Sequence, residues 1–284
     1  MPSKKKQSVA VQIIDDDKGT PGLSDKHAFQ TSSTNDNIVN DVTETKEKKT
    51  TEKKARKPRI VKVLDKYYSN SSIIEIGIDE AGRGPMLGRV YTAAVVLPKD
   101  DSFDHSLMKD SKKFTSEKKI NEAAEYIKKH AIAWAIKYSS EDVIDSVNIR
   151  NATHKAMHNA ALEVINKMER EYYDYHLLVD GNDFKPLMIL NDDSGLNQVP
   201  HTTIEGGDNK YSAIAAASIL AKVTRDEYIR DLCEKHPYLN EYYDLENNKG
   251  YGTKSHMDGI MQYGISKFHR KSFGICKEAK ELEL

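Results

Sequence analysis

Hydrophobic and polar positions alternate most sharply over residues 73–79, where Ile74, Ile76 and Ile78 are separated by Glu75 and Gly77. A period of two is that of a strand with one buried face. Residues 91–97, Tyr-Thr-Ala-Ala-Val-Val-Leu, are a second apolar run of strand length, rich in Val and Ala. Together they predict a hairpin over 73–97, with Asp79 and Glu80 closing its first strand just before Gly82-Arg83-Gly84-Pro85. Further on, Thr115-Ser116-Glu117 reads as a helix start, with an amphipathic helix to about residue 129. Residues 131–138 alternate as a third strand, and Ser140 opens a short helix. Residues 148–170 carry helical periodicity through Ala152, Met157, Ala160, Ala161, Val164 and Met168. Residues 175–182 are a short apolar run ending in Asp180-Gly181, and 186–204 read as loop plus one short strand. A long helix is predicted over 212–235. Its first part, Ala213 to Ala221, is almost all small or apolar, which places it buried against a sheet.

Composition changes this picture at the N-terminus. Residues 1 to about 60 are rich in Lys, Asp, Thr, Ser and Asn, with few large apolar side chains. Such a stretch cannot bury enough surface to offset the entropy of ordering. The expected organisation is a disordered, Lys-rich tail over 1–68 and a catalytic domain over 69–284. The basic run 48–59 suits a solubilising linker, a nuclear-import signal or an extra nucleic-acid contact, and the residues do not choose among these. The net charge of -1 argues for no particular partner. The 2 cysteines, Cys233 and Cys276, are too few for a disulfide framework. No apolar run has membrane-spanning length, and none of signal-peptide length follows the N-terminus. The expectation is a soluble protein of the cytoplasm, or of the nucleus if 48–59 is an import signal.

Carboxylates at the end of a buried strand are costly unless a cation compensates them. For Asp79-Glu80 the alternatives are a divalent metal, since hard cations take oxygen ligands, and a solvated pair opening a turn with Arg83 as its partner. Asp180 repeats the arrangement at the end of a second apolar run, and ligand sites of open α/β sheets favour such ends. Asp226 lies one helical turn from Lys222 and reads as its salt-bridge partner. His154 and His158 have zinc-compatible spacing but no third soft ligand nearby, so structural roles are expected. Residues 249–256 and 267–273 interleave Lys and Arg with Tyr, Phe and His. That composition serves a nucleic-acid surface or an ordinary solvated one with packed rings.

Six blocks in order resemble the ribonuclease HII family (type 2 ribonucleases H): Ile78-Asp-Glu-Ala-Gly-Arg-Gly-Pro85, Met108-Lys-Asp-Ser-Lys-Lys-Phe-Thr115, Val179-Asp-Gly-Asn182, Gly207-Asp208 with 214–226, Gly250-Tyr-Gly-Thr-Lys254 and His269-Arg-Lys-Ser-Phe273. The resemblance implies a ribonuclease H-like fold, a central mixed β-sheet flanked by helices. It implies a catalytic and metal-binding quartet of Asp79, Glu80, Asp180 and Asp226, displacing the salt-bridge reading of Asp226. Two Mg²⁺ or Mn²⁺ ions about 4 Å apart would clamp the scissile phosphate. The implied substrates are RNA–DNA hybrids and duplex DNA with single embedded ribonucleotides, cut on the 5′ side to leave 5′-phosphate and 3′-hydroxyl. The turn Gly82, Arg83 and Gly84 would read the 2′-hydroxyl, and Tyr251 would stack on the next deoxyribose. Lys222 and Lys254 would contact phosphates, and a monomer is expected. Arg89 stands where the family commonly has proline, and 183–204 is longer than usual. The rival readings are a hybrid-binding protein of this fold without turnover and another metal-dependent nuclease on the same scaffold.

Overall fold

The structure is a computed structural model that describes residues 63–168, 170–191 and 194–283. Most of the expected tail, including the basic run 48–59, lies outside the described residues. Leu64 is buried, and Asp65 bridges to Tyr211, donating to Lys210 O and accepting from Ser212 N at 2.8 and 2.9 Å.

Strand β1 (Ile74–Ala81) turns into β2 (Val90–Val96), its antiparallel partner. Helix α1 (Glu117–His130) then leads to β3 (Ala133–Ser139), antiparallel to β2. Helix α2 (Glu141–Met168) connects to β4 (Tyr175–Asp180), which lies parallel to β1. The sheet order is β3-β2-β1-β4-β7, with β7 (His201–Ile204) parallel to β4. Helix α3 (Ser212–Lys235) follows, then α4 (Tyr238–Tyr243), α5 (Leu245–Asn248) and α6 (Lys254–Tyr263).

Alternation along the strands divides the core between the two sheet faces. Ala93 and Val95 face α1 and the small-residue surface of α3 (Ala213, Ala216, Ala217, Leu220). Ile76, Ile78, Ala94, Val96, Leu177 and Val179 face α2 through Met157, Ala160, Ala161 and Val164. Gly77, mid-strand in β1, lets α3 lie directly on the sheet, because a Cβ there would run into the backbone of Ala213 and Ile214. A third cluster, with Leu87, Ile229, Leu232, Leu239, Tyr243 and Ile260, joins the glycine turn after β1 to the C-terminal helices.

One expectation needs adjusting. The segment 186–204 holds three short strands rather than one: β5 (Met188–Asn191) and β6 (Gly195–Gln198) pair as a separate hairpin before β7. Leu190 and Leu196 are exposed, so this hairpin lacks the one-sided burial that makes a strand visible in sequence. The short and long helices expected from residue 140 onward are both present, grouped as α2 and separated by a sharp break. Asn148 has φ 65°, and its side-chain oxygen accepts from Asn151 N at 3.0 Å, starting the second part. No helix among the described residues is long and apolar enough to cross a membrane.

Candidate active site

The central strands bring three carboxylates together. The β1/β4 register pairs Ile78 with Val179, so Asp79 and Asp180 are the next residues along two adjacent parallel strands. Asp79 is buried, 5 % exposed, on the side where α3 presents Ser218. Its Oδ1 accepts from Glu80 N at 2.7 Å, and the Ser218 hydroxyl donates to it. Ser218 Oγ is in turn 3.1 Å from Ser111 Oγ, from the block that follows β2. Burial, then the charges of Glu80 and Asp180, push the Asp79 carboxyl well above the usual range. Glu80 is also raised by burial, against the opposing pull of Arg83, whose Nη1 is 3.4 Å from Glu80 Oε1. The contact with Arg83 that the turn reading of this pair contained is therefore present. Asp180 Oδ1 accepts from Gly207 N at 2.7 Å. Beyond it, buried Asp208 is raised by desolvation and by Asp110 and Asp180, and Asn209 Nδ2 bridges Asp208 and Asp110 at 2.9 and 3.2 Å.

Asp226, on α3, is paired along its own helix. Lys222 Nζ lies 2.8 Å from Asp226 Oδ2 and Arg225 Nη1 3.9 Å from Oδ1, so the intrahelical ion pair suggested by the spacing is present. Lys254 is likewise paired one turn along α6, 2.7 Å from Asp258 Oδ2. Among the described residues no three His, Cys, Asp or Glu side chains are drawn close enough to form a ready ion cage. His154 and His158 bind loop carbonyls, with Nε2 3.3 Å from Asp183 O and 2.8 Å from Lys185 O.

The donor set nevertheless suits a hard divalent cation. A hydroxyl and an amide offset the two carboxylates neighbouring Asp79, and the side-chain ligand atoms that Asp79, Glu80 and Asp180 offer are all oxygen. The glycine turn lies next to it. Gly82 has φ 92°, and a Cβ there would strike the Arg225 side chain. A Cβ on Gly84 would come within 3.3 Å of the Tyr251 ring, so turn and ring are neighbours. Tyr251 is half exposed, and Met86 N donates to Gly250 O at 2.8 Å, tying the two loops by backbone.

Several supporting residues escaped the sequence reading. Ser111 and Ser218 are the polar interruptions of otherwise apolar or basic stretches, a faint signal. Arg225 is buried at 3 % and donates to Lys249 O at 2.6 Å. His256 and His269 are buried side by side, Nε2 to Nε2 at 3.0 Å. Their tautomers follow from their outer partners. Ser266 N donates to His269 Nδ1 at 3.0 Å, and His256 Nδ1 donates to Tyr251 O at 2.9 Å, so His269 Nε2–H donates to His256.

This mixed five-stranded sheet with helices on both faces has the ribonuclease H-like fold. The crystal structure of ribonuclease H2 from Pyrococcus horikoshii aligns with a TM-score of 0.54 at 22% identity, over 72% of this chain and 96% of that one. Ribonuclease HII in the structure of its complex with PCNA from Archaeoglobus fulgidus gives 0.53 at 25% identity, over 71% and 96%. Ribonuclease HII of Phocaeicola vulgatus is 41% identical over 217 residues, 76% of this chain and 97% of that protein. The family model for Ribonuclease HII matches residues 76–276, and the chain belongs to that family. Family and fold make it a ribonuclease H-type endoribonuclease, a hydrolase of nucleic acid.

Proposed function

We propose that this chain is a divalent-metal-dependent endoribonuclease that cuts the RNA strand of RNA–DNA hybrids and cuts 5′ to single ribonucleotides in duplex DNA. The observation that carries the reading is the mutual repulsion of Asp79, Glu80 and Asp180 at adjacent strand ends, beside a glycine turn that touches Tyr251. Asp79, Glu80 and Asp180 would hold Mg²⁺ or Mn²⁺, with Asp226 the fourth ligand by family resemblance. When bound, two such ions supply charge stabilisation of the scissile phosphate and a water acidified enough to attack it.

The chain's own residues supply position and selectivity. Ser218 and the Glu80 amide fix the Asp79 carboxylate, and Gly207 N fixes Asp180. The water oxygen bonds to phosphorus as the P–O3′ bond breaks; one proton of that water ends, through solvent, on the leaving 3′-oxygen, and the other leaves the new phosphate oxygen for solvent. The products are a 5′-phosphate and a 3′-hydroxyl, and no side chain is consumed. Backbone at Gly82, Arg83 and Gly84 meets the 2′-hydroxyl, the group that marks RNA. The Tyr251 ring covers the next sugar, where the absence of a hydroxyl lets it close. Lys222 and Lys254 sit in exposed or half-exposed i,i+4 pairs that contribute little to stability, so exchanging them for phosphate contacts costs little.

The test is cleavage of four end-labelled duplexes: all-DNA, all-RNA, RNA–DNA hybrid, and DNA with one ribonucleotide. Each is run with Mg²⁺, with Mn²⁺ and with chelator. Metal-dependent cuts confined to the last two, with the single-ribonucleotide cut on its 5′ side, are expected. Cleavage of all-DNA would point instead to a general nuclease. Binding without cleavage in either metal would point to a hybrid-binding protein.

A further inference from the structure

Arg270 is fully buried, 0 % exposed, and among the described residues its guanidinium forms no ion pair, with Glu141 and Asp145 the carboxylates that attract it. Its acceptors are carbonyls of the turn after β1. Nη2 donates to Gly82 O at 2.5 Å, Nη1 to Arg83 O at 2.8 Å and Nε to Gly88 O at 2.8 Å. The Phe273 ring lies 5.0 Å from its guanidinium carbon. Burial lowers its pKa only to about 10, so it is charged at neutral pH. A buried charge is costly, and here what it holds is one short loop.

The peptide plane says what that holding does. In a trans peptide the N–H points opposite to the C=O, and no cis bond occurs among the described residues. Gly82 C=O shares a plane with the Arg83 N–H, and Arg83 C=O with the Gly84 N–H. Drawing both carbonyls inward to Arg270 turns both amides outward. Arg83 and Gly84 are the exposed residues of a turn whose Gly82, Pro85 and Met86 are buried. Among the described residues neither amide donates a hydrogen bond within the chain. Gly84 lies against the Tyr251 ring, 3.3 Å from where its Cβ would stand, and Arg83 is the residue before it. The ring shares the same anchor, because His269 precedes Arg270 and reaches Tyr251 O through His256.

We propose that Arg270 is the positioning residue for ribose selection: it holds the Arg83 and Gly84 amides outward, as donors to a 2′-hydroxyl, in register with Tyr251. This rests on the function proposed above. The role needs the planar fork of arginine, since a lysine ammonium cannot reach three carbonyls spread along a loop.

The test uses full-length chain, wild type and Arg270→Lys, with Ca²⁺ in place of the catalytic metal. Affinity is measured for duplex DNA with one ribonucleotide and for the same duplex all-DNA. Wild type should prefer the ribonucleotide duplex. In Arg270→Lys that preference should fall by about tenfold, the worth of one charge-assisted hydrogen bond, while all-DNA affinity holds within about twofold. A purely structural role would move both affinities together. Retained preference in the variant overturns the inference and leaves the functional reading standing. A wild-type chain with no preference overturns both. Should Arg270→Lys show no cooperative melting, amide hydrogen exchange in wild type decides. Arg83 and Gly84 should exchange fast in the free protein and be protected by the ribonucleotide duplex but not by all-DNA. Protection already in the free protein, or none on binding, overturns the inference.

Discussion

Asp79 is the residue on which chemistry and stability pull in opposite directions. Its carboxylate is buried, is raised by Glu80 and Asp180, and forms no ion pair among the described residues. Asp79→Asn keeps the shape and removes the charge. Cleavage of hybrid should fall by at least about a hundredfold, the scale of losing one electrostatic stabiliser of the transition state. Duplex binding should hold or tighten, because one negative charge facing phosphates is gone. The melting temperature should not drop, since a repulsion is relieved. Cleavage assays and thermal melts of the same preparation check this; joint loss of fold and binding would make Asp79 structural. Tyr251 lies at the other side of the turn. Tyr251→Ala removes a half-exposed ring that the core does not need, so stability should hold. Cleavage at isolated ribonucleotides should fall by about 1–3 kcal/mol of stacking, and unchanged single-turnover rates would remove Tyr251 from sugar recognition.

Elements set these residues in place, and Gly77 shows how tightly. Helix α3 rests on β1 where a Cβ would meet the backbone of Ala213 and Ile214. Backbone cannot rotate aside as a side-chain tip can. Gly77→Ala should therefore destabilise by about 3 kcal/mol, the upper range for overpacking, in denaturant unfolding. A second element-level effect joins the Tyr251 loop to residues 266–270. Burial, then His256, depress His269 from 6.5 to about 3. As pH falls, the unfolded chain takes up this proton first, so stability is complete above pH 6.5 and lost progressively toward pH 3. At pH 5 the site costs about 2 kcal/mol, and His269→Gln should flatten the stability profile between pH 7 and pH 5. These elements differ in how far the sequence revealed them. The Ile74-Ile76-Ile78 alternation and the apolar runs ending in Asp79 and Asp180 were legible because each strand has a buried face and a polar end. The β5–β6 hairpin was not, because its strands are short and partly exposed on both sides. Asp226 could not be separated from a salt bridge with Lys222, since the two share the spacing of an ordinary ion pair. The burial of Arg270 and His269 was hidden for another reason. Lys267-Phe-His-Arg-Lys271 reads equally as a nucleic-acid surface or a solvated one, and no local pattern tells a buried guanidinium from an exposed one. Only the carbonyls contributed by a turn more than 180 residues earlier do so.

At the scale of the whole molecule, charge is unevenly distributed although the net is -1. The carboxylates of the site would face the phosphates of any duplex, so affinity has to come from basic residues elsewhere. The run 48–59 carries Lys48, Lys49, Lys53, Lys54, Arg56, Lys57 and Arg59 against a single Glu52. It precedes the described residues, whose buried core begins at Leu64 and which contain every residue named in the site. Removing residues 1–60 should leave hybrid cleavage working at low salt and weaken binding as salt rises. If the run binds phosphates, the slope of log affinity against log salt should become shallower by about 0.9 for each phosphate that the shortened chain no longer neutralises. Titrations of full-length and truncated chain on the same hybrid, over a range of salt, read this directly. An unaltered slope would mean that the run does not touch nucleic acid, leaving a solubilising or import role. A slope change with unaltered low-salt cleavage would divide the work: capture by the basic run, and selection and hydrolysis by the domain.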